Sequence, residues 1–180
     1  MAEIIKKFVQ VRDRFGSWQF RPVTLGVTWH YIGVAGQTPE QAHAYFDDPT
    51  KQTYSGCHYC IGVDGRIVQF ADADRAVWHA GGQSYTQWAL NEYPEWTTQS
   101  AGKTPNWAFI GVELCHQDYT GRFTEKTLKS ASWLALKLIS EYNLKSSDMV
   151  RHYDLTGKDC PKYWVANRQA WAGFKRRLRG

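Results

Sequence analysis

Residues 23–31, VTLGVTWHY, set Val23, Leu25, Val27, Trp29 and Tyr31 on one side of an extended chain and Thr24, Gly26, Thr28 and His30 on the other, the period of a β-strand with one buried face. The period returns at residues 109–115, FIGVELC, where Ile110, Val112 and Leu114 alternate with Gly111, Glu113 and Cys115. Each strand thus carries an ionisable residue, His30 or Glu113, opposite its apolar side.

Outward from these two segments the pattern alternates between strand and helix. Thr38 and Pro39 read as an N-cap with proline at the first helical position, opening a short helix through about Phe46. Cys57 to Val63 and Arg66 to Phe70 flank Asp64-Gly65, a signal for a hairpin with a two-residue turn. Leu128, Ala131, Ala135, Leu138 and Tyr142 recur at helical spacing, widened by Leu134 and Ile139, which predicts an amphipathic helix over 124–142. Met149 to Arg151 reads as a short edge strand, and Trp164, Trp171, Phe174 and Leu178 as one terminal helix. Residues 81–107, rich in glycine and aromatics, read as a long surface loop with one helical turn, whose rings either stack on a ligand or cover the edge of the core. Strands interspersed with helices over 180 residues imply an α/β fold: one domain, residues 1–180, with a central mixed sheet flanked by helices.

Nine Trp and ten Tyr in a chain that is 43% hydrophobic exclude a disordered or low-complexity chain. Charges at Glu3, Lys6, Lys7, Arg12, Asp13 and Arg14 interrupt the first residues, which leaves no apolar run for a signal peptide or membrane span and gives the expectation of synthesis in the cytoplasm without membrane insertion. On that expectation the four cysteines read as thiols or metal ligands and not as a disulfide framework. The net charge of +5 suits several polyanions. Much of it lies in Lys175, Arg176, Arg177 and Arg179, which read either as a solvated helix end or as a contact for anionic polymers. No nucleic-acid-binding motif accompanies the charge, and nucleic acid is not expected as a partner.

Three residues suited to zinc stand at element ends or in loops: His30, and His152 and Cys160 within HYDLTGKDC. No local zinc motif joins them, and each also has an ordinary reading, as a hydrogen-bonded strand-end histidine, a surface histidine and a small buried hydrophobe. Glu113 is harder to dismiss, since a carboxylate in an apolar strand is costly to bury unless paired or used. His43 and His116 read as surface residues and His58 as structural; Cys57 and Cys60 have redox-motif spacing, but on a continuous strand they would face opposite ways.

The segments GVTWHYIG, CHYCIGVDGRIVQFADADRAVWHAGG, NWAFIGVELCHQ and VRHYDLTGKDCP resemble, in order and spacing, successive blocks of the N-acetylmuramoyl-L-alanine amidase family, which includes phage endolysins and is related to peptidoglycan recognition proteins. The resemblance runs from about Val23 to Pro161. It implies one zinc ion (Zn2+) per chain bound by His30, His152 and Cys160, Glu113 as general base and acid, and Lys158 as oxyanion stabiliser. It further implies that Trp78, His79 and Asn106 border the substrate groove, with His79 either touching substrate or supporting a ligand. The implied substrate is bacterial peptidoglycan, cut by a monomeric enzyme between N-acetylmuramic acid and L-alanine. A phage or prophage lysin that acts on the wall after release fits the expected cytoplasmic synthesis. Cys57 stands where some relatives carry a tyrosine, so no tyrosine-assisted mechanism is carried over. Two other roles use the same fold: a wall-binding module without catalysis, and a cytosolic amidase that recycles anhydromuropeptides. Cys160, Lys158 and Glu113 together favour an enzyme over the module.

Overall fold

The computed structural model describes residues 3–98 and 102–178. Eight strands form two sheets among these residues. The larger has six strands in the order β1 (Ile4–Lys6), β5 (Ile67–Gln69), β4 (Tyr59–Ile61), β7 (Phe109–Leu114), β3 (Gly26–Tyr31) and β8 (Met149–Arg151). Only β4 and β5 pair antiparallel; the other neighbours are parallel, which makes the sheet mixed. A separate antiparallel ribbon joins β2 (Gly16–Phe20) to β6 (Arg75–Val77). Sequence reading missed β1, β2 and β6, which are short and lack a clean apolar alternation.

Both central strands are buried on both faces, in place of the single buried face expected from their alternation. On one face Val27, Trp29, Ile110, Val112 and Leu114 meet the helix α3 (Glu125–Tyr142) and the C-terminal aromatics Trp164, Trp171 and Phe174. On the other, Cys60, Val68 and Cys115 pack with Phe15, Phe70 and the helix α1 (Pro39–Phe46). Parallel strands need crossover connections that cover both faces, which is why alternation alone misjudged the exposure.

The helices sit where their end signals place them. Thr38 caps α1 by accepting from the Gln41 amide while Gln41 returns the bond to Thr38, and Pro39 opens the first turn. Thr124 caps α3 through the Thr127 amide, and Asn143 ends it in the left-handed conformation (φ 52°). Three local expectations are corrected. The hairpin closes through Gly62 N–H to Arg66 O (2.9 Å), so three residues and not two form the turn, with Gly65 left-handed at φ 87°. The segment after residue 81 holds a helix α2 (Gln87–Glu92) and two single 3-10 turns, Pro94–Trp96 and Pro105–Trp107. The expected terminal helix is broken into α5 (Lys162–Ala166) and α6 (Arg168–Arg176), because Asn167 caps the second helix through the Ala170 amide.

Candidate active site

A cleft of about 520 Å³ opens at the carboxyl ends of the parallel strands β3, β7 and β8, the end of an α/β sheet at which loops converge. His30 and Glu113 are register partners on β3 and β7, so their side chains stand beside each other on one face of the sheet. His152 follows β8 directly and opens the helix α4 (His152–Thr156). Arg151 fixes that turn, since its amide donates to Asp154 Oδ2 (2.7 Å) and its guanidinium clasps the same carboxylate. Gly157 then reverses the chain at φ 78°, a conformation that favours glycine, and Tyr153 N–H to Cys160 O (2.9 Å) closes the loop. Residues 152 and 160 are thereby returned to the same point.

The potential ligand atoms of His30, His152 and Cys160 lie within 4.8 Å of one another, and all three residues are buried. Cys160 Sγ is 3.7 Å from His30 Nδ1. His152 Nδ1 is buried without a hydrogen-bond partner among the described residues. Burial lowers the His30 pKa well below its usual value and brings His152 to about 3, and the Lys158 cation acts in the same direction on both, so both imidazoles are neutral lone-pair donors. Burial, with Glu113 adding to it, raises the Cys160 thiol to about 12. Two neutral nitrogens, one orphaned, beside a thiol whose anion needs a cation are a donor set that fits a divalent metal ion.

Glu113 lines the cleft, with Oε2 buried and without a hydrogen-bond partner among the described residues. Desolvation raises its pKa from 4.5 to about 8, and the Lys158 cation opposes the rise. Lys158 itself is exposed and lines the cleft two residues before Cys160. Trp78 also lines it, as do Tyr31, Val34 and Tyr45, of which Val34 and Tyr45 are exposed. Sequence reading had not singled out those last three; exposure of a valine and a tyrosine is a signal only the folded chain provides.

His79 lies at the cleft edge, but both its ring nitrogens are occupied: Nδ1 is 3.1 Å from His30 Nε2 and Nε2 is 3.0 Å from Phe109 O. The geometry therefore matches support of His30, and no ring nitrogen is left for hydrogen bonding to substrate. Asn106 departs from its expected place in the groove. It is buried behind the cleft, its Oδ1 taken by the amides of His79 (2.8 Å) and Ala80 (2.7 Å). His58 is structural as expected, accepting from the Gly111 amide at Nδ1 (2.9 Å) and donating from Nε2 to Arg75 O (2.8 Å).

His43 and His116, expected at the surface, are buried, the first against Phe70 and the second between the carbonyls of Ile32 and Asp118. Cys57 precedes β4, so strand alternation does not govern it, and it packs in the same cluster as Cys60. Cys60 Sγ lies 3.7 Å from Cys115 Sγ. No aromatic of residues 81–107 lines the cleft. Tyr85, Tyr93 and Trp96 pack against a core cluster around Phe109, and the exposed Trp88 faces a separate groove beside α4.

Among known families, the model described as N-acetylmuramoyl-L-alanine amidase matches residues 19–163. The chain is 27% identical over 181 residues to a probable N-acetylmuramoyl-L-alanine amidase of Bacillus licheniformis, covering 99% of this chain and 48% of that protein. It is 30% identical over 154 residues to the amidase BlyA of Bacillus subtilis (strain 168), covering 83% of this chain and 40% of the relative. The chain thus spans about half or less of the length of these relatives. Among solved structures, a mutant endolysin from Bacillus subtilis superposes with a TM-score of 0.71 at 23% identity, over 99% of each chain, which shows the same fold.

Proposed function

This chain belongs to the N-acetylmuramoyl-L-alanine amidase family, and from that premise we propose that it hydrolyses the amide bond between N-acetylmuramic acid and L-alanine in peptidoglycan, with zinc as cofactor, in the role of a phage or prophage endolysin. The observation that carries this reading is the convergence of His30, His152 and Cys160 in one cleft with Glu113, whose Oε2 has no hydrogen-bond partner among the described residues. A wall-binding module without chemistry has no use for a carboxylate oxygen buried without a hydrogen-bond partner among the described residues, which costs stability where it stands.

Zinc held by the two nitrogens and the thiolate would supply Lewis acidity toward the amide carbonyl and toward water. Glu113 takes the proton of the attacking water at its carboxylate and returns it to the departing alanine nitrogen. In the metal-free fold burial pushes its pKa up to about 8 against the opposing Lys158 cation, and a cation held beside it would favour the carboxylate form that accepts the proton. Lys158 contributes a cation on the exposed rim, where the carbonyl oxygen gains negative charge. Trp78, Tyr31 and Tyr45 offer flat apolar surfaces to the sugar and the stem peptide.

Metal analysis and mass spectrometry of digested walls test the reading together. The expected result is one zinc per chain, loss of lysis on exhaustive chelation with recovery on adding zinc, and release of stem peptides with a free alanine amine. Full activity in metal-free protein, or cleavage at another bond, would overturn it.

A further inference from the structure

We infer that His79 is a positioning residue of the metal centre: it holds His30 in the tautomer and ring orientation that leave Nδ1 free for a metal ion, and Asn106 and Gly111 hold His79 in place. This rests on the metal-site reading above and adds to it the reason one of the ligands is ready to bind.

The hydrogen-bond chain fixes the protons. A carbonyl oxygen can only accept, so the 3.0 Å contact with Phe109 O requires the hydrogen of His79 on Nε2. The partners of the His79 ring are a carbonyl and an imidazole, neither of them anionic, and a buried imidazolium between such partners is costly. His79 Nδ1 is therefore bare and accepts from His30 Nε2–H at 3.1 Å. That leaves the hydrogen of His30 on Nε2 and its lone pair on Nδ1, the nitrogen facing Cys160 Sγ.

The surroundings hold this chain in register. Asn106 ties down the backbone of His79 and Ala80 with one side-chain oxygen. Gly111 leaves room for the ring, since a Cβ there would lie 2.5 Å from His79 Cγ. Alternate residues of β7 thus provide the carbonyl anchor at Phe109, the space at Gly111 and the carboxylate at Glu113. A ligand histidine whose other nitrogen is tied in this way binds metal without rearranging, and loss of such partners typically weakens affinity about 10–100-fold.

Two near-isosteric variants separate hydrogen bonding from packing. His79→Leu keeps bulk but offers no acceptor, while His79→Asn offers an oxygen close to the position of Nδ1. Zinc affinity of the metal-free proteins, measured by competition with a chromogenic chelator, is expected to fall about 10–100-fold in His79→Leu and to recover largely in His79→Asn. Wild-type affinity in the leucine variant, or equal losses in both, would overturn the inference. If the leucine variant does not fold, long-range 1H–15N spectra of the metal-free wild type decide, because a proton on Nδ1 of His30 or of His79 contradicts the chain of bonds. A wild-type protein that binds no zinc would instead remove the metal-site reading, while those spectra would still report on the His30–His79 bond.

Discussion

The two faces of the central sheet are built from alternate residues of the same strands and do opposite things. On one face Val27, Trp29, Ile110, Val112 and Leu114 sit in a closed apolar layer under α3, with Trp29 edge-on to Trp164 and Phe174 at centroid distances of 6.2 and 5.0 Å. On the other, the neighbouring His30 and Glu113 face the cleft: His30 is buried with both ring nitrogens in contact with His79 and Cys160, and Glu113 is partly buried with Oε2 lacking a hydrogen-bond partner among the described residues. The first face gains free energy from enclosure, and the second holds groups whose charged forms enclosure opposes. A strand alternates by two residues, so one hydrogen-bonded framework serves both without either disturbing the other's packing.

The comparison is tested first at Glu113. Glu113→Gln is expected to lower turnover by about a hundredfold to ten-thousandfold, in kcat more than in KM, with zinc content and folding retained. Unchanged kcat would refute its role as base, and lost zinc would instead make it a ligand or a group that orients one. On the apolar face, Trp29→Ala should destabilise the fold by about 3–5 kcal/mol, the range for truncating a buried aromatic. The protein that remains folded should bind zinc as before. Chemical denaturation and metal analysis on one preparation check both halves, and selective loss of zinc would break the division between the faces.

A pH titration of stability sharpens the division further. Glu113 has its pKa raised from 4.5 to about 8 in the fold, so between those values the folded chain keeps a proton that the unfolded chain has lost. Stability contributed by that proton is present below the lower value and declines as pH rises through the window. Metal-free wild type should therefore lose stability relative to metal-free Glu113→Gln between pH 4.5 and about 8. Parallel stability curves for the two proteins would show that the carboxylate is not desolvated. The smallest effect is expected far from both faces, at the basic C-terminal segment. Neutralising Lys175, Arg176 and Arg177, with Arg179 outside the described residues, should reduce adsorption to anionic walls at low salt while sparing hydrolysis of a small soluble muropeptide. The expected loss is modest because Arg177 already pairs with Glu125 (2.8 Å) and Lys175 sits over Trp171. Equal loss on both substrates would count against a purely adsorptive part.

Local signals in the chain were sufficient for elements whose determinants are local. Thr38-Pro39 and Thr124 mark helix starts because a cap and its amide lie within three residues, and the apolar stripe of α3 needs no distant partner to be read. The break at Asn167 was hidden because four apolar residues at near-helical spacing outweighed one capping side chain. The strands β1, β2 and β6 are short and depend on pairing for their extended form, so they had no signature of their own.

The sequence by itself determined the chemistry available: two histidines and a cysteine suited to a metal, a glutamate out of place in an apolar strand, and the spacing of HYDLTGKDC. Tertiary structure decided which of these meet. Parallel pairing sets His30 opposite Glu113 across more than eighty residues of intervening chain, and β8 brings His152 to them. Register between distant parallel strands comes from non-local hydrogen bonds and packing, and periodicity within one strand carries no record of it. The same cause moved Asn106 behind the cleft and buried His43 and His116, because a polar side chain's surroundings are set by the elements that arrive around it.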